Sequence, residues 1–250
     1  MAISALHKPA EHITQLEAYI TTDFQDIESA FRLRHSVFSE DFDTHLTSQS
    51  DGLDKDQFDD YCHHLIVKDC DTQQVVAYSR IITHDLAMNH KGFYTATEFD
   101  LTAILDPSKR YMEIGRTCIH KDYRRGAAIG MLWGCIGKFM LEHQMDYLMG
   151  CASIDVSQGL EKAHSALSYL RTKYFSRDDQ RVIPKEPLPF RPHEVAGKQY
   201  IPPILQAYLR MGCKVCGEAH WDQAFNVADV MVLLKQSDIN MRYLKHFLRV

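Results

Sequence analysis

The stretch YMEIGRTCIHKDYRRGAAIG, residues 111–130, decides how the chain is organised. It opens as an apolar strand that carries Glu113 and Arg116, passes into a basic, glycine-bearing turn, and ends where an apolar-striped helix begins. Side chains alternate along a strand, so two residues three apart face opposite sides. Gly115 lies between them and predicts a β-bulge, which inserts a residue and turns both charges to one side. In the turn, RRGAAIG sets Arg124 and Arg125 before Gly126, Ala128 and Gly130. Helix N-terminal N–H groups point outward and attract anions, and small residues let a phosphate approach them. His120, Lys121 and Lys138 add positive field. The geometry expected is strand, anion-binding turn, helix and second strand, a pocket suited to a phosphorylated thioester carrier.

On the N-terminal side of this stretch, LEAYITT (residues 16–22) reads as a strand. DFQDIESAFRLRHSVF follows as an amphipathic helix with Ile27, Phe31, Arg34 and Phe38 at helical spacing. An acidic, flexible stretch is expected from Glu40 to Asp60. HHLIVKD and VVAYSRIIT, separated by CDTQQ, predict a hairpin, and TATEFDLTAIL a short helix stopped by Pro107. On the C-terminal side, AAIGMLWGCIGKFMLEH repeats Ile129, Leu132, Trp133, Ile136 and Met140 at helical spacing. DYLMGCASI is a strand and GLEKAHSALSYLRTKY a helix. Six of the eight prolines fall between Pro184 and Pro203, marking an irregular arm over about residues 176–203. PPILQAYLRMG (helix), CKVCGE and NVADVMVLL (strands) and DINMRYLKHFL (helix) complete the chain. The succession predicts an α/β (α+β) fold, a central mixed sheet flanked by helices, formed by residues 16–250 after a tail of residues 1–15.

Composition narrows the function. With 45% hydrophobic and 24% charged residues in 250, the chain can bury a large core. A net charge of −5 argues against a nucleic-acid binder. The start, MAISALHKPA, lacks the apolar run of a secretory signal, and no segment is long enough to span a bilayer. The longest greasy segment, VADVMVLL, is broken by Asp229. Seven cysteines, odd in number and in apolar contexts, predict reduced thiols in the cytoplasm. Cys213 and Cys216 have zinc-knuckle spacing but no second pair, so no metal is expected there. His64 and Asp69 form an H-x4-D that runs from a strand into a turn with no supporting motif, a coincidence of spacing.

Arg125, Ala128 and Gly130, between a strand and a helix, resemble the R-x-x-A-x-G pantetheine-pyrophosphate motif of the GNAT acyltransferase superfamily, with Ala128 in place of the usual first glycine. FRLRHSVFSEDF, FDDYCHHLIVKD, GFYTATEFDL, EIGRTCIHKDYR, LMGCASI, YLRMGCKVCGEAHWD and FNVADVMVLL, in that order, resemble the bacterial ornithine-lipid-type N-acyltransferases, relatives of the acyl-homoserine lactone synthases. The resemblance implies a GNAT fold and transfer of a 3-hydroxy fatty acyl group from acyl-carrier protein to the α-amino group of ornithine. The product would be a lyso-lipid completed by a second acyltransferase. No permanently bound cofactor is implied; the co-substrate is an acyl-carrier protein phosphopantetheine thioester or acyl-CoA. A lipid product implies peripheral contact with the inner face of the membrane. By position, Arg34, Phe38, Arg80, Glu113 and Arg116 match the charged and aromatic positions around that group's cleft, and Arg124, Arg125, Gly126, Ala128 and Gly130 its donor-phosphate turn.

Acylation of an amine needs the neutral amine, an activated carbonyl and an exit for one proton. Glu113 is the expected base, Arg116 orients it or forks a substrate carboxylate, and N–H groups freed by the bulge face the oxyanion. The acidic partner for an ornithine side chain is sought among Asp51, Asp54, Asp59 and Asp60, and Tyr169 is a candidate acid for the leaving thiol. The same residues leave open an acyl-homoserine lactone or other N-acyl amino acid synthase, and a non-catalytic sensor of acyl carriers.

Overall fold

In the computed structural model, residues 15–42, 51–124, 127–190, 195–240 and 242 are described. Strand β1 (Leu16–Thr21) leads into helix α1 (Phe24–Phe42). The Asp23 carboxylate starts α1 by accepting hydrogen bonds from the backbone N–H groups of Gln25 and Asp26. Next come β2 (His63–Asp69), β3 (Val75–Thr83) and the short helices α2 (His84–Asn89) and α3 (Thr95–Glu98). After them run β4 (Phe99–Asp100), β5 (Tyr111–Ile119), α4 (Ala128–Glu142), β6 (Tyr147–Asp155) and α5 (Glu161–Lys173). The C-terminal part adds β7 (Ile183–Pro184), α6 (Pro203–Met211), β8 (Lys214–Val215), β9 (His220–Asp222) and β10 (Val227–Lys235). The main sheet has the order β1-β2-β3-β5-β6-β10-β8, with β9 also on β10. All its named neighbours are antiparallel except β5 and β6.

Strand alternation sorts the two faces. Leu65, Val67, Ala77, Ile81, Met112 and Ile114 pack with the stripe Leu132, Trp133, Ile136 and Met140 of α4. Ile66, Tyr78 and Cys118 meet Ala30, Leu33, Val37 and Phe38 of α1 on the other face. Ile82, Tyr111 and Met149 continue beneath α2 and α3 with Phe93 and Phe99.

Two irregularities shape the sheet. The β5–β6 pairing is short, running from Tyr111 opposite Tyr147 to Glu113 opposite Met149, and then stops. Beyond it the strands part into a wedge. Gly150 stands at the point of parting, where a Cβ would lie 2.3 Å from the carbonyl oxygen of Ile114. The second irregularity lies between β3 and β5, where Arg80 pairs with Gly115 and Tyr78 with Cys118. Ser79 therefore faces both Arg116 and Thr117, a bulge whose first residue, Arg116, has φ +51°. The predicted bulge is present one residue after Gly115. It resets the alternation, so that Tyr111, Glu113 and Cys118 all contribute to the α1–α3 face.

Several expectations change in detail. The acidic stretch after Glu40 is not simply flexible: α1 continues to Phe42, and Asp54 and Asp59 are each only 5% exposed. The helix expected over TATEFDLTAIL is four residues long and is followed by β4. The proline-rich arm supplies β7, which pairs with β4, and Pro187, which bridges to His220. Cys213 and Cys216 flank β8, both free and buried. Asp69 closes the β2–β3 turn by accepting from the N–H groups of Asp71 and Thr72, while His64 bonds the Tyr78 hydroxyl at 2.9 Å. Residues 1–14 of the expected tail, and seven of the eleven residues of the expected C-terminal helix, lie outside the described residues.

Candidate active site

The wedge opens into a cleft of about 800 Å³, its mouth included, lined among others by Phe38, Arg80, Tyr94, Glu113, Gly115, Arg116, Tyr208 and Asp229. Glu113 lies at its base, 1% exposed, on the last residue of β5 still paired with β6. Its Oε1 accepts from the Tyr94 N–H at 3.1 Å and its Oε2 from the Thr95 N–H at 2.8 Å. The carboxylate thus caps α3, a helix too short to hold itself. Burial pushes its pKa up, and the backbone bonds and Arg80 work against that rise.

Arg116 is bound to Asp56, not to Glu113. Its Nη2 and Nε reach Asp56 Oδ2 at 3.0 and 3.3 Å, and its guanidinium lies 5.2 Å from the Tyr94 ring centre and 5.0 Å from that of Phe225. Asp56 also accepts from Arg80 Nη1 at 2.6 Å. Burial disfavours its charge, yet Arg80 and Arg116 hold its pKa down to about 2. Arg80 also reaches Asp59, at 3.1 Å, and Arg34 binds Asp59 at 2.8 Å and Asp54 at 3.0 Å. Three arginines and three aspartates thus neutralise one another behind the cleft. Arg80, Arg116 and Phe38 line the cleft itself; Arg34, 0% exposed, buttresses it from α1.

These partners leave Asp54 and Asp59 unsuited to a substrate cation. Asp51 is exposed and accepts from the Leu53 N–H, and Asp60 is exposed beside Lys55. A second acidic group, which the sequence reading missed, adjoins the cleft. Single ligand oxygens of Glu98, Asp222 and Asp229 come within 4.8 Å of one another. Asp229 had one visible signal, a lone charge in the apolar run VADVMVLL; Glu98 and Asp222 had none. Tyr169 lies on α5 away from the lining, whereas Tyr94 and Tyr208 face the cleft.

On the donor side, Ala128 and Gly130 are buried in the first turn of α4, whose N-terminus has no side-chain cap. Arg124 Nη2 donates to both carboxylate oxygens of Asp41, at 2.9 and 2.8 Å, and Lys121 is 3.6 Å from Glu40. These pairs tie the turn to the end of α1. Arg125 and Gly126 lie outside the described residues. Among the described residues no helix is long and apolar enough to cross a membrane.

A family model described as an acetyltransferase (GNAT) domain matches residues 33–134. Among solved structures, a CoA-dependent acyl-homoserine lactone synthase, BjaI, with SAM and isopentyl-CoA, aligns at a TM-score of 0.57 and 16% identity. The alignment covers 94% of this chain and 87% of that one, a likeness of fold. The family-model match, with the parted strands and this likeness of fold, marks a fold of the GNAT acyltransferase type. An L-ornithine N(alpha)-acyltransferase of Rhodobacter capsulatus is 33% identical over 251 residues, 93% of this chain and 95% of its own. One from Agrobacterium fabrum is 30% identical over 256 residues, 94% and 86%. The chain belongs to the L-ornithine N(alpha)-acyltransferase family.

Proposed function

We propose that this protein transfers a 3-hydroxy fatty acyl group from acyl-carrier protein to the α-amino group of ornithine, the first step towards a two-chain ornithine lipid. The observation that carries the reading is Glu113, a buried carboxylate at the base of a wedge between strands. An α-ammonium with a pKa near ~8 must lose a proton before it attacks. Glu113, whose burial raises its affinity for a proton, takes that proton directly or through water. Arg116 uses Nε and Nη2 on Asp56, leaving Nη1 for the acceptor carboxylate. Past Glu113, the edge of β5 that faces the wedge has no β6 partner, which suits it to the pantetheine arm and the oxyanion. The phosphate lies at the start of α4, with Arg124, Arg125, Gly126, Ala128 and Gly130. Tyr94 or Tyr208 protonates the leaving thiolate. Contact with the membrane that takes up the product uses the exposed Ile183, Phe190 and Val195 of the arm, 68, 88 and 82% accessible.

The test offers purified protein 3-hydroxyacyl-carrier protein and, separately, the matching acyl-CoA. Each meets ornithine, lysine, glycine and S-adenosylmethionine, with mass detection of N-acyl products. N-acyl-ornithine made from the carrier-bound donor is the expected result. Glu113→Gln should lower turnover at least 100-fold while donor binding persists. A variant that keeps full turnover removes Glu113 from the chemistry.

A further inference from the structure

We propose that Glu98, Asp222 and Asp229 form the binding site for the side-chain ammonium of a cationic amino-acid acceptor, and so set the choice of acceptor. The proposal rests on the reading above that ornithine is acylated here, and adds the residues that select it.

Two acidic groups adjoin the cleft, in opposite circumstances. Asp54, Asp56 and Asp59 are each bound by arginine. Glu98, Asp222 and Asp229 have no Lys or Arg partner within ion-pair distance among the described residues, although Glu98 is only 3% exposed and Asp229 4%. Neither carboxylate oxygen of Glu98 receives a hydrogen bond; the Tyr94 hydroxyl and Cys151 thiol face it without closing one of normal geometry. A buried carboxylate without a hydrogen bond, set among two others, is costly unless a proton or a cation joins it. Burial, then the charge of Asp229, raises the proton affinity of Glu98.

Chemistry selects the cation. Asp229 Oδ1 accepts from the Ser153 hydroxyl at 2.6 Å, and Asp222 Oδ1 from the N–H groups of Ala224 and Phe225 at 2.9 and 3.1 Å. Each aspartate is left with one unoccupied oxygen. With Glu98 that makes three carboxylates with acceptor capacity to spare, one oxygen of each within 4.8 Å of the others, matching in number the three donors of a primary ammonium. A hard divalent ion takes about six oxygens or more and would draw the remainder from water, and the EDTA arm below separates it from an ammonium.

Position also fits. Glu113 holds the N–H of Thr95, and Glu98 stands three residues further along α3, about one helical turn on. An acceptor with its α-amine at Glu113 and three methylenes between its amines can bring the second amine to the triad. Asp222 and Asp229 line the cleft directly, on the side of Arg116 and Phe225.

The experiment compares ornithine with norvaline, which has the same carbon chain without the side-chain amine, in the wild type, Glu98→Gln and Asp229→Asn. Purified proteins receive whichever 3-hydroxyacyl thioester is active, with and without EDTA. Melting curves with each free amino acid give a readout independent of turnover. In the wild type, kcat/KM should favour ornithine at least 100-fold, and ornithine, not norvaline, should raise the melting temperature. Each substitution should reduce that preference at least tenfold, mainly through the KM for ornithine, and abolish the thermal shift. If either variant fails to fold, Asp222→Asn provides the second measurement. An unchanged ornithine-to-norvaline ratio in folded variants overturns the proposal while leaving ornithine as acceptor. Loss of activity with EDTA, restored by a divalent ion, assigns the triad to a metal and overturns it too. Acylation by the wild type of neutral amino acids alone overturns the acceptor reading itself.

Discussion

Replacing Glu98 by Gln should make the protein more stable. An unfolded glutamate ionises near pH ~4.3, whereas burial and Asp229 raise the folded pKa well above that. Across the window between the two values the folded chain binds more protons than the unfolded one, so wild-type stability falls as pH rises. At pH 7 the penalty is bounded by protonating the side chain on folding, 2.303RT(7 − 4.3), or about 3.7 kcal/mol. Relaxation of the acidic neighbours lowers this, giving a gain of about 2–3 kcal/mol for the amide, which carries no charge and can donate to Asp229. For a chain of this length that is a rise of roughly 5–10 °C in melting temperature. The assay is thermal unfolding of both proteins at pH 4.5, 6 and 7.5 without amino acid. The gap should be small at pH 4.5 and widest at pH 7.5. A variant that melts at or below wild type at pH 7.5, or a gap independent of pH, would refute the reasoning. Stability gained together with lost selectivity would mark Glu98 as a residue kept for binding.

Gly150→Ala should destabilise by about 1–3 kcal/mol, because its Cβ would meet the Ile114 carbonyl oxygen at 2.3 Å and neither backbone can yield without opening the wedge further; urea unfolding measures it. Asp59→Asn should cost about 3–5 kcal/mol, since it leaves Arg34 and Arg80 buried with one anion fewer. Its melting temperature at neutral pH should fall accordingly.

Much of the architecture was legible because it depends on local pattern. The stripe of α4, the β2–β3 hairpin and the misfit between Glu113 and Arg116 are periodicities, and a misfit in alternation predicts a bulge. The bulge falls on Arg116, despite the cost of a left-handed arginine, where bonds to Asp56 and stacking on Tyr94 and Phe225 hold the side chain. The acidic sites were not legible, because partnership is a property of space. Asp54 and Asp59 look like solvated loop residues until arginines from α1 and β3 arrive over them. Glu98 looks like an ordinary helix end until β9 and β10 bring two more carboxylates. Strands as short as β4 and β7 carry no period at all.

The cap that Glu113 places on α3 makes the Tyr94 and Thr95 amides reporters of its charge. Loss of the Glu113 charge weakens its two hydrogen bonds, and a four-residue helix has little else with which to resist exchange. Hydrogen exchange at these amides can therefore follow the protonation of Glu113, with no substrate present. The same two bonds tie the proposed acid–base residue to the short segment that carries Glu98.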